Sequence, residues 1–207
     1  MIPYRIRRAN LADIPALNQI IAEAAQQLNA ADYTQAQIDS VLKYGYGVDA
    51  QLIEDGTYFV AEMNGRILGS GGWSRHRALH NGELAPEGET PLNPLFDAAK
   101  IRAMFVHPQF SRQGIGRALL TVSETAARQA GFKRLELMAT LTGEPLYAAF
   151  GFVVQERYEE ILPDGTPFAV ALMVKQLEPQ AYGSDLIAST SAASFAPPSG
   201  AVMRTQR

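Results

Sequence analysis

The stretch "VHPQFSRQGIGRALL", residues 106–120, narrows the folds open to this chain more than any other. Gly114 and Gly116 stand one residue apart, after the apolar run "IRAMFV" and ahead of a helical pattern. That pattern puts Ile115, Ala118, Leu119, Val122, Ala126 and Ala130 on one face, and Gly131 ends it. Strand, bare loop and helix in this order bring several backbone N–H groups to the positive end of a helix dipole, where an anion is stabilised. Each hydrogen bond to a charged acceptor contributes roughly 1.5 to 3 kcal/mol, and the dipole adds about 0.3 to 1 kcal/mol. A few such bonds suffice for a diphosphate without a dedicated lysine, with Arg112 and Arg117 adding charge at the rim. The plainer alternative is that the two glycines only turn the chain into its helix.

Two common glycine loops are excluded by what stands at position 119. A dinucleotide fingerprint G-x-G-x-x-G needs its third glycine there, and a P-loop G-x-x-x-x-G-K needs its second. The residue is Leu119.

Around this loop the periodicity predicts a mixed order of elements. "IPYRIRRA" reads as a short strand, and Ile14, Leu17, Ile21, Ala24 and Leu28 recur at helical spacing after it, with Asn10 or Asp13 as the cap. A weaker helix covers Thr34 to Tyr44. Asn64-Gly65 suits a tight two-residue turn, which places strands near 57–63 and 66–73. Residues 75–99 read as a long loop, 101–106 and "RLELMATL" as strands, and Glu144 to Phe150 as a short helix stopped by Gly151. "FVVQERYEEIL", the turn "PDG" and "PFAVALMVKQL" form a closing antiparallel pair.

Composition bounds the rest. Hydrophobic residues at 47% and charged residues at 19% of 207 are those of a folded globular chain. A net charge of -3 with scattered Lys and Arg supplies no footprint for a nucleic-acid backbone. The absence of cysteine excludes disulfides, thiolate metal sites and a cysteine nucleophile, and fits a reducing compartment. The start has no unbroken apolar core of a signal peptide and no stretch is long enough for a membrane span, so a cytoplasmic protein without membrane partners is expected. Residues 178–207, rich in Ser, Ala, Pro and Gly, read as a flexible tail after a domain spanning 1–177.

Val106, Pro108, Gly114 and Gly116 match the pattern V-x-P, [RQ]-x-x-G-x-[GA] and helix of the GNAT superfamily of N-acetyltransferases, with Ser111 in place of the usual Arg or Gln. "PLYAAFGFVV" resembles the later L-Y-x-x-x-G-F signature of that family, on Leu146, Tyr147, Gly151 and Phe152. The resemblance covers about residues 3–177. It implies an α/β fold with a central mixed, mostly antiparallel sheet flanked by helices, and a splayed parallel strand pair. It also implies that the backbone of Met104, Phe105 and Val106 pairs with pantetheine amides, while Arg112, Gln113, Gly114, Ile115, Gly116 and Arg117 hold the pyrophosphate of acetyl-CoA. The implied reaction is direct attack of a primary amine, of a small molecule or amino-acid-like acceptor, on the thioester, with Tyr147 protonating the departing sulfur. No metal is implied, and a homodimer is in keeping with the family.

The base is open. The resemblance places a carboxylate near position 100, where Lys100 stands, leaving Asp97, Glu83 or water, and Thr140 replaces a common asparagine. Glu156, Glu159 and Glu160 read either as a solvated strand edge or as a lure for a cationic amine. His76, His80 and Glu83 have a spacing that could suit a metal but read as polar surface, and His107 as structural or exposed. A noncatalytic acyl-CoA-binding module and a peptide or protein N-acetyltransferase stand as alternatives.

Overall fold

The computed structural model describes residues 3–77 and 91–177. Seven strands, β1 (Arg5–Arg8), β2 (Tyr58–Met63), β3 (Arg66–Ser74), β4 (Ala99–Val106), β5 (Arg134–Thr140), β6 (Val153–Ile161) and β7 (Pro167–Gln176), form one sheet in the order β1-β2-β3-β4-β5-β7-β6. Every pairing is antiparallel except β4 with β5. Helices α1 (Ile14–Leu28), α2 (Gln35–Tyr44), α3 (Ala50–Glu54), α4 (Ile115–Gln129) and α5 (Glu144–Ala149) cover its two faces. This is the mixed, mostly antiparallel α/β architecture with one parallel pair that the sequence led us to expect. The tail from 178, most of the 75–99 loop, His80 and Glu83 lie outside the described residues. No helix among the described residues is long and apolar enough to cross a membrane.

Local chemistry explains most elements. Asn10 caps the turn into α1 by accepting from the Ala12 amide, while the Asp13 carboxylate accepts from the Asn10 amide, each at 2.9 Å. Arg7 clamps Asp13 at 2.7 and 2.9 Å and holds its carboxyl below the usual carboxylate range. Thr34 and Gln37 form a second capping box at α2. Asn64 at φ 50° and Gly65 at φ 79° make the expected tight hairpin turn. The sequence reading missed α3, whose five residues are too few to show a period. It starts from Asp49, whose carboxylate accepts from the Gln51 amide at 3.1 Å.

One face of the sheet packs against α4 and α5, through Ile115, Leu119 and Leu120 against Leu135, Leu137, Ala171 and Met173. The other packs against α1 to α3, through Leu17, Ile20 and Leu52 near the first strands and Ala25, Ile38 and Val41 near Phe168 and Val170. Full burial of each large aliphatic side chain contributes about 1.5–3 kcal/mol, so both layers are bound by side-chain contact rather than by helix propensity.

The parallel pair is short. Only Ala99 with Leu135 and Lys100 with Glu136 are in register before β4 leaves its neighbour. The cause lies on the opposite edge of β4, where the register with β3 shifts between Ser70 and Gly72 and Ala103 adopts φ 53°. The fully buried Tyr58 donates to the Ser70 hydroxyl at 3.0 Å, and Ser70 donates to the Ala103 carbonyl at 3.4 Å. This relay satisfies the carbonyl that the bulge removes from the ladder. The Tyr58 hydroxyl also lies 3.5 Å from the Ala103 carbonyl, so Ser70→Ala is expected to remove one hydrogen bond without orphaning the acceptor, destabilising the protein by about 0.5–1.5 kcal/mol in a denaturant titration.

Candidate active site

The divergence of β4 from β5 opens a cleft of about 750 Å³, a usual size for a small-molecule site. One end is the glycine loop and the start of α4; the other is walled by α1, the end of α2, β6 and β7.

At the loop end, Val106 leads into a short 3-10 turn, Pro108–Phe110, capped by the His107 ring, whose Nδ1 accepts from the Gln109 amide at 3.2 Å. His107 is buried, with Nε2 3.0 Å from Glu23, so its role is to anchor this turn. The chain then passes through two left-handed residues, Arg112 at φ 60° and Gly114 at φ 85°. A Cβ on Gly114 would meet nothing within 4 Å, so glycine is required there by conformation and not by space. Gly116 differs: a Cβ would stand 3.0 Å from Cδ2 of Leu146, so its bareness serves the approach of α5 to α4.

The first closed turn of this segment is Ala118 N–H to Gly114 C=O at 3.0 Å. Among the described residues, no carbonyl or side-chain acceptor takes the amide hydrogens of residues 112–117. The Gln113 side chain is turned back onto the Gln109 carbonyl at 3.2 Å, leaving that residue only its main chain for the cleft. The Arg117 guanidinium lies 5.8 Å from the Phe150 ring centre, and Arg112 is exposed at the rim. The result is an electropositive concavity of backbone donors at a helix start.

Along β4, the His107 amide bonds to the Leu68 carbonyl at 2.9 Å and Phe105 lies opposite Ser70. Antiparallel alternation then directs the Phe105 amide and carbonyl to β3, and those of Met104 and Val106 to the gap. Of the three backbone positions expected to face the gap, Phe105 is the exception. Its ring instead packs edge-on to Tyr46 at 5.2 Å.

Tyr147 lines the middle of the cleft. Pro145 in the first turn of α5 and an edge-on contact with Phe152 at 6.0 Å fix its ring. Burial pushes its phenol well above the ordinary value, so the group is fully protonated at neutral pH and has a proton to give. No hydrogen bond among the described residues engages its hydroxyl. Thr140, at the end of β5, spends its hydroxyl on the Gly143 amide at 3.0 Å and so shapes the turn into α5.

The candidate bases separate. Asp97 accepts from the Asn93 amide at 2.7 Å in the turn ahead of β4 and does not line the cleft. Glu83 is outside the described residues. Glu156 and Glu159 are exposed on β6, whereas Glu160 lines the cleft. Lys100 pairs with Glu136 at 2.5 Å beside the short parallel register. His76 pairs with Asp55 at 2.8 Å, and among the described residues no three ligating side chains gather for a metal.

Sequence reasoning missed the far wall. Tyr33 stacks on Phe168 at 4.3 Å, and Tyr46 stands edge-on to Phe168 at 6.4 Å. Tyr33 donates to the Ala169 carbonyl at 2.6 Å and accepts from the Leu141 amide at 2.8 Å, tying the end of α1 to the ends of β5 and β7. Asn29 donates to the Tyr46 hydroxyl at 3.4 Å. Arg102, also on the cleft, is held by Asp49 at 2.9 Å. None of these carries a local pattern; a shared aromatic richness was the only available signal.

Residues 54–154 match the family model described as an acetyltransferase (GNAT) domain. Among solved structures, a GCN5-related N-acetyltransferase from Rhodopseudomonas palustris is similar at TM-score 0.63 and 19% identity, covering 86% of this chain and 98% of that one. The paiA N-acetyltransferase from Thermoplasma acidophilum, in complex with coenzyme A, matches at TM-score 0.57 and 16% identity over 84% of this chain and 99% of that one. The putative acetyltransferase yncA from Salmonella typhimurium, with its cofactor acetyl-CoA, matches at 0.55 and 19% over 89% and 99%. With both signature segments, the splayed parallel pair and the family match in agreement, this chain carries a GNAT acetyltransferase domain, the fold of enzymes that transfer acetyl groups from acetyl-CoA.

Proposed function

We propose that the protein acetylates the primary amine of a small acceptor by direct attack on the thioester carbonyl of acetyl-CoA. The observation that carries this reading is the run of uncommitted amides at residues 112–117, opening on the cleft made where β4 leaves β5. Those amides hold the pyrophosphate, with Arg112 and Arg117 at its rim. The backbone of Met104 and Val106 pairs with the pantetheine arm as an added strand would. The acyl end then falls near Tyr147.

In the reaction the amine nitrogen forms the new bond to the carbonyl carbon and the carbon–sulfur bond breaks. Tyr147 gives its proton to the departing sulfur. A thiol is ordinarily a stronger acid than a phenol, and burial widens the gap, so this donation is uphill and its contribution sits near the 10²-fold end of general-acid catalysis. An alkylamine near pKa 10.4 arrives protonated, and freeing it at pH 7 costs about 4.6 kcal/mol. That proton leaves to water. The chain has no cysteine, which suits a route with no acyl-enzyme.

Calorimetric titration with coenzyme A is expected to show uptake, and its absence would end this reading. Gly114→Ala should weaken that uptake about 10-fold, the equivalent of one lost charge-assisted hydrogen bond, and cost about 1–2 kcal/mol of stability through its positive φ alone. Tyr147→Phe should lower turnover by about 100-fold while acetyl-CoA affinity stays nearly constant; unaltered turnover removes Tyr147 from the acid role. Because its phenol titrates above its ordinary range, the rate should show no alkaline decline from this group up to about pH 10.

A further inference from the structure

The loop that bears the uncommitted amides is set by the turn before it, and that turn hangs on one imidazole. His107 caps Pro108–Phe110: its Nδ1 accepts from the Gln109 amide at 3.2 Å, and its carbonyl accepts from the Phe110 amide at 2.9 Å. Gln109 carries the connection forward, because its carbonyl accepts from the Gln113 side chain at 3.2 Å. Gln113 stands between the two left-handed residues of the loop, Arg112 and Gly114. The backbone angles that aim these amides are therefore held from a point that His107 fixes.

The partners of the ring decide where its proton sits. Nδ1 faces a donor, so its lone pair is in use and the ring proton is on Nε2. From there it is donated to Glu23 of α1, whose Oε2 lies 3.0 Å away. Arg66 of β3 places a guanidinium nitrogen 2.8 Å from the same Nε2 and reaches the Gln109 side-chain oxygen at 3.4 Å. The Phe110 ring closes the site edge-on at 5.4 Å, with the Arg66 guanidinium 5.1 Å from its centre. Glu23 and Arg66 are the charged groups in contact with the ring, and they act in opposite senses on a second ring proton: the carboxylate favours it and the guanidinium opposes it. The Nδ1 side is decisive. A proton there sets one N–H against the Gln109 N–H in a site where the histidine is 8% exposed, and the cap is lost.

We infer that His107, neutral and protonated on Nε2, is a positioning residue for the coenzyme A cradle, and that a second ring proton weakens cofactor binding through Gln109 and Gln113 rather than by contact with the cofactor. The inference rests on the cofactor half of the acetyl-transfer reading and adds a pH dependence to it. Histidine is the side chain whose charge ordinarily changes between about pH 5 and 8. The sign follows from the cap: affinity is full where the ring is neutral and falls as the pH is lowered through the ring's titration. By linkage, bound coenzyme A holds the ring neutral and moves that titration to lower pH by the same factor.

The test is calorimetry with coenzyme A between about pH 8 and about pH 5 on the native protein and on His107→Asn. The asparagine side-chain oxygen accepts from the amide two residues on, as in an Asx turn, and does not titrate. The comparison also cancels the cofactor's own phosphomonoester, which takes up a proton at about pH 6. The native protein is expected to lose about 10-fold more affinity over the interval than the variant, the equivalent of one hydrogen bond, while the two bind alike at the upper pH. Should the variant fail to fold, nitrogen NMR of the native histidine rings, assigned by replacing His76 and His80 in turn, reads the same effect. It should show the Nε2–H tautomer at His107, and coenzyme A should lower the midpoint of that ring's titration by about one pH unit. An equal pH dependence in the two proteins, an Nδ1–H tautomer or a midpoint unmoved by the cofactor each overturns the inference while coenzyme A uptake stands. No uptake at the upper pH takes down the cofactor reading and this inference together.

Discussion

The early parting of β4 from β5 is the constraint on which the rest of the structure depends. Strands lower their free energy by pairing, and an unpaired edge inside a sheet leaves backbone donors and acceptors unmet. Here two paired positions are followed by divergence because β4 is bent at Ala103. The Tyr58–Ser70–Ala103 hydrogen-bond relay fixes that bend from the β3 side, and the half-buried Arg102–Asp49 pair anchors the preceding residue to the start of α3. The remaining strands are held by antiparallel ladders, with further register shifts between Ala61 and Glu62 and between Val154 and Glu156.

From that opening the two ends of the cleft follow. The crossover through α4, which any parallel pair requires, starts where β4 ends, so the amino terminus of α4 and its bare loop sit at the mouth of the gap. Backbone donors make up the electropositive concavity at this end. Ser111 in place of the Arg or Gln of the resembled pattern is compatible with this: a main-chain cradle depends on φ values such as that of Gly114 far more than on one side chain. At the other end the lining comes from α1, α2, β6 and β7 and the segments that follow them.

Several parts of this arrangement were legible in the residues. The Asn64-Gly65 hairpin, the amphipathic α1 and α4, the glycine loop and the closing β6/β7 pair each carry a local signal of turn chemistry or period. The paired signatures around Gly114 and Tyr147 carried the family and the fold. Other features gave no such signal. The five-residue α3 is too short for a period, and Ala103 is an ordinary alanine whose left-handed φ is imposed by its neighbours. Gly116 read as part of an anion loop, while its contact with Leu146 shows that packing also demands it.

The sequence by itself determined most of the helices, strands and turns, α3 apart, and that a bare loop opens α4, because these depend on residues within a few positions of each other. Only the tertiary structure decided that Tyr46, Glu160 and Phe168 line one end of the cleft with Tyr33 stacked behind Phe168, since they come from four separate segments brought together by sheet order and helix docking. It also decided that Asp97 stays away from the cleft and Glu160 enters it. Proximity across a hundred residues is set by the register of β6 on β7 and the reach of α1 over the sheet, and no local pattern encodes either.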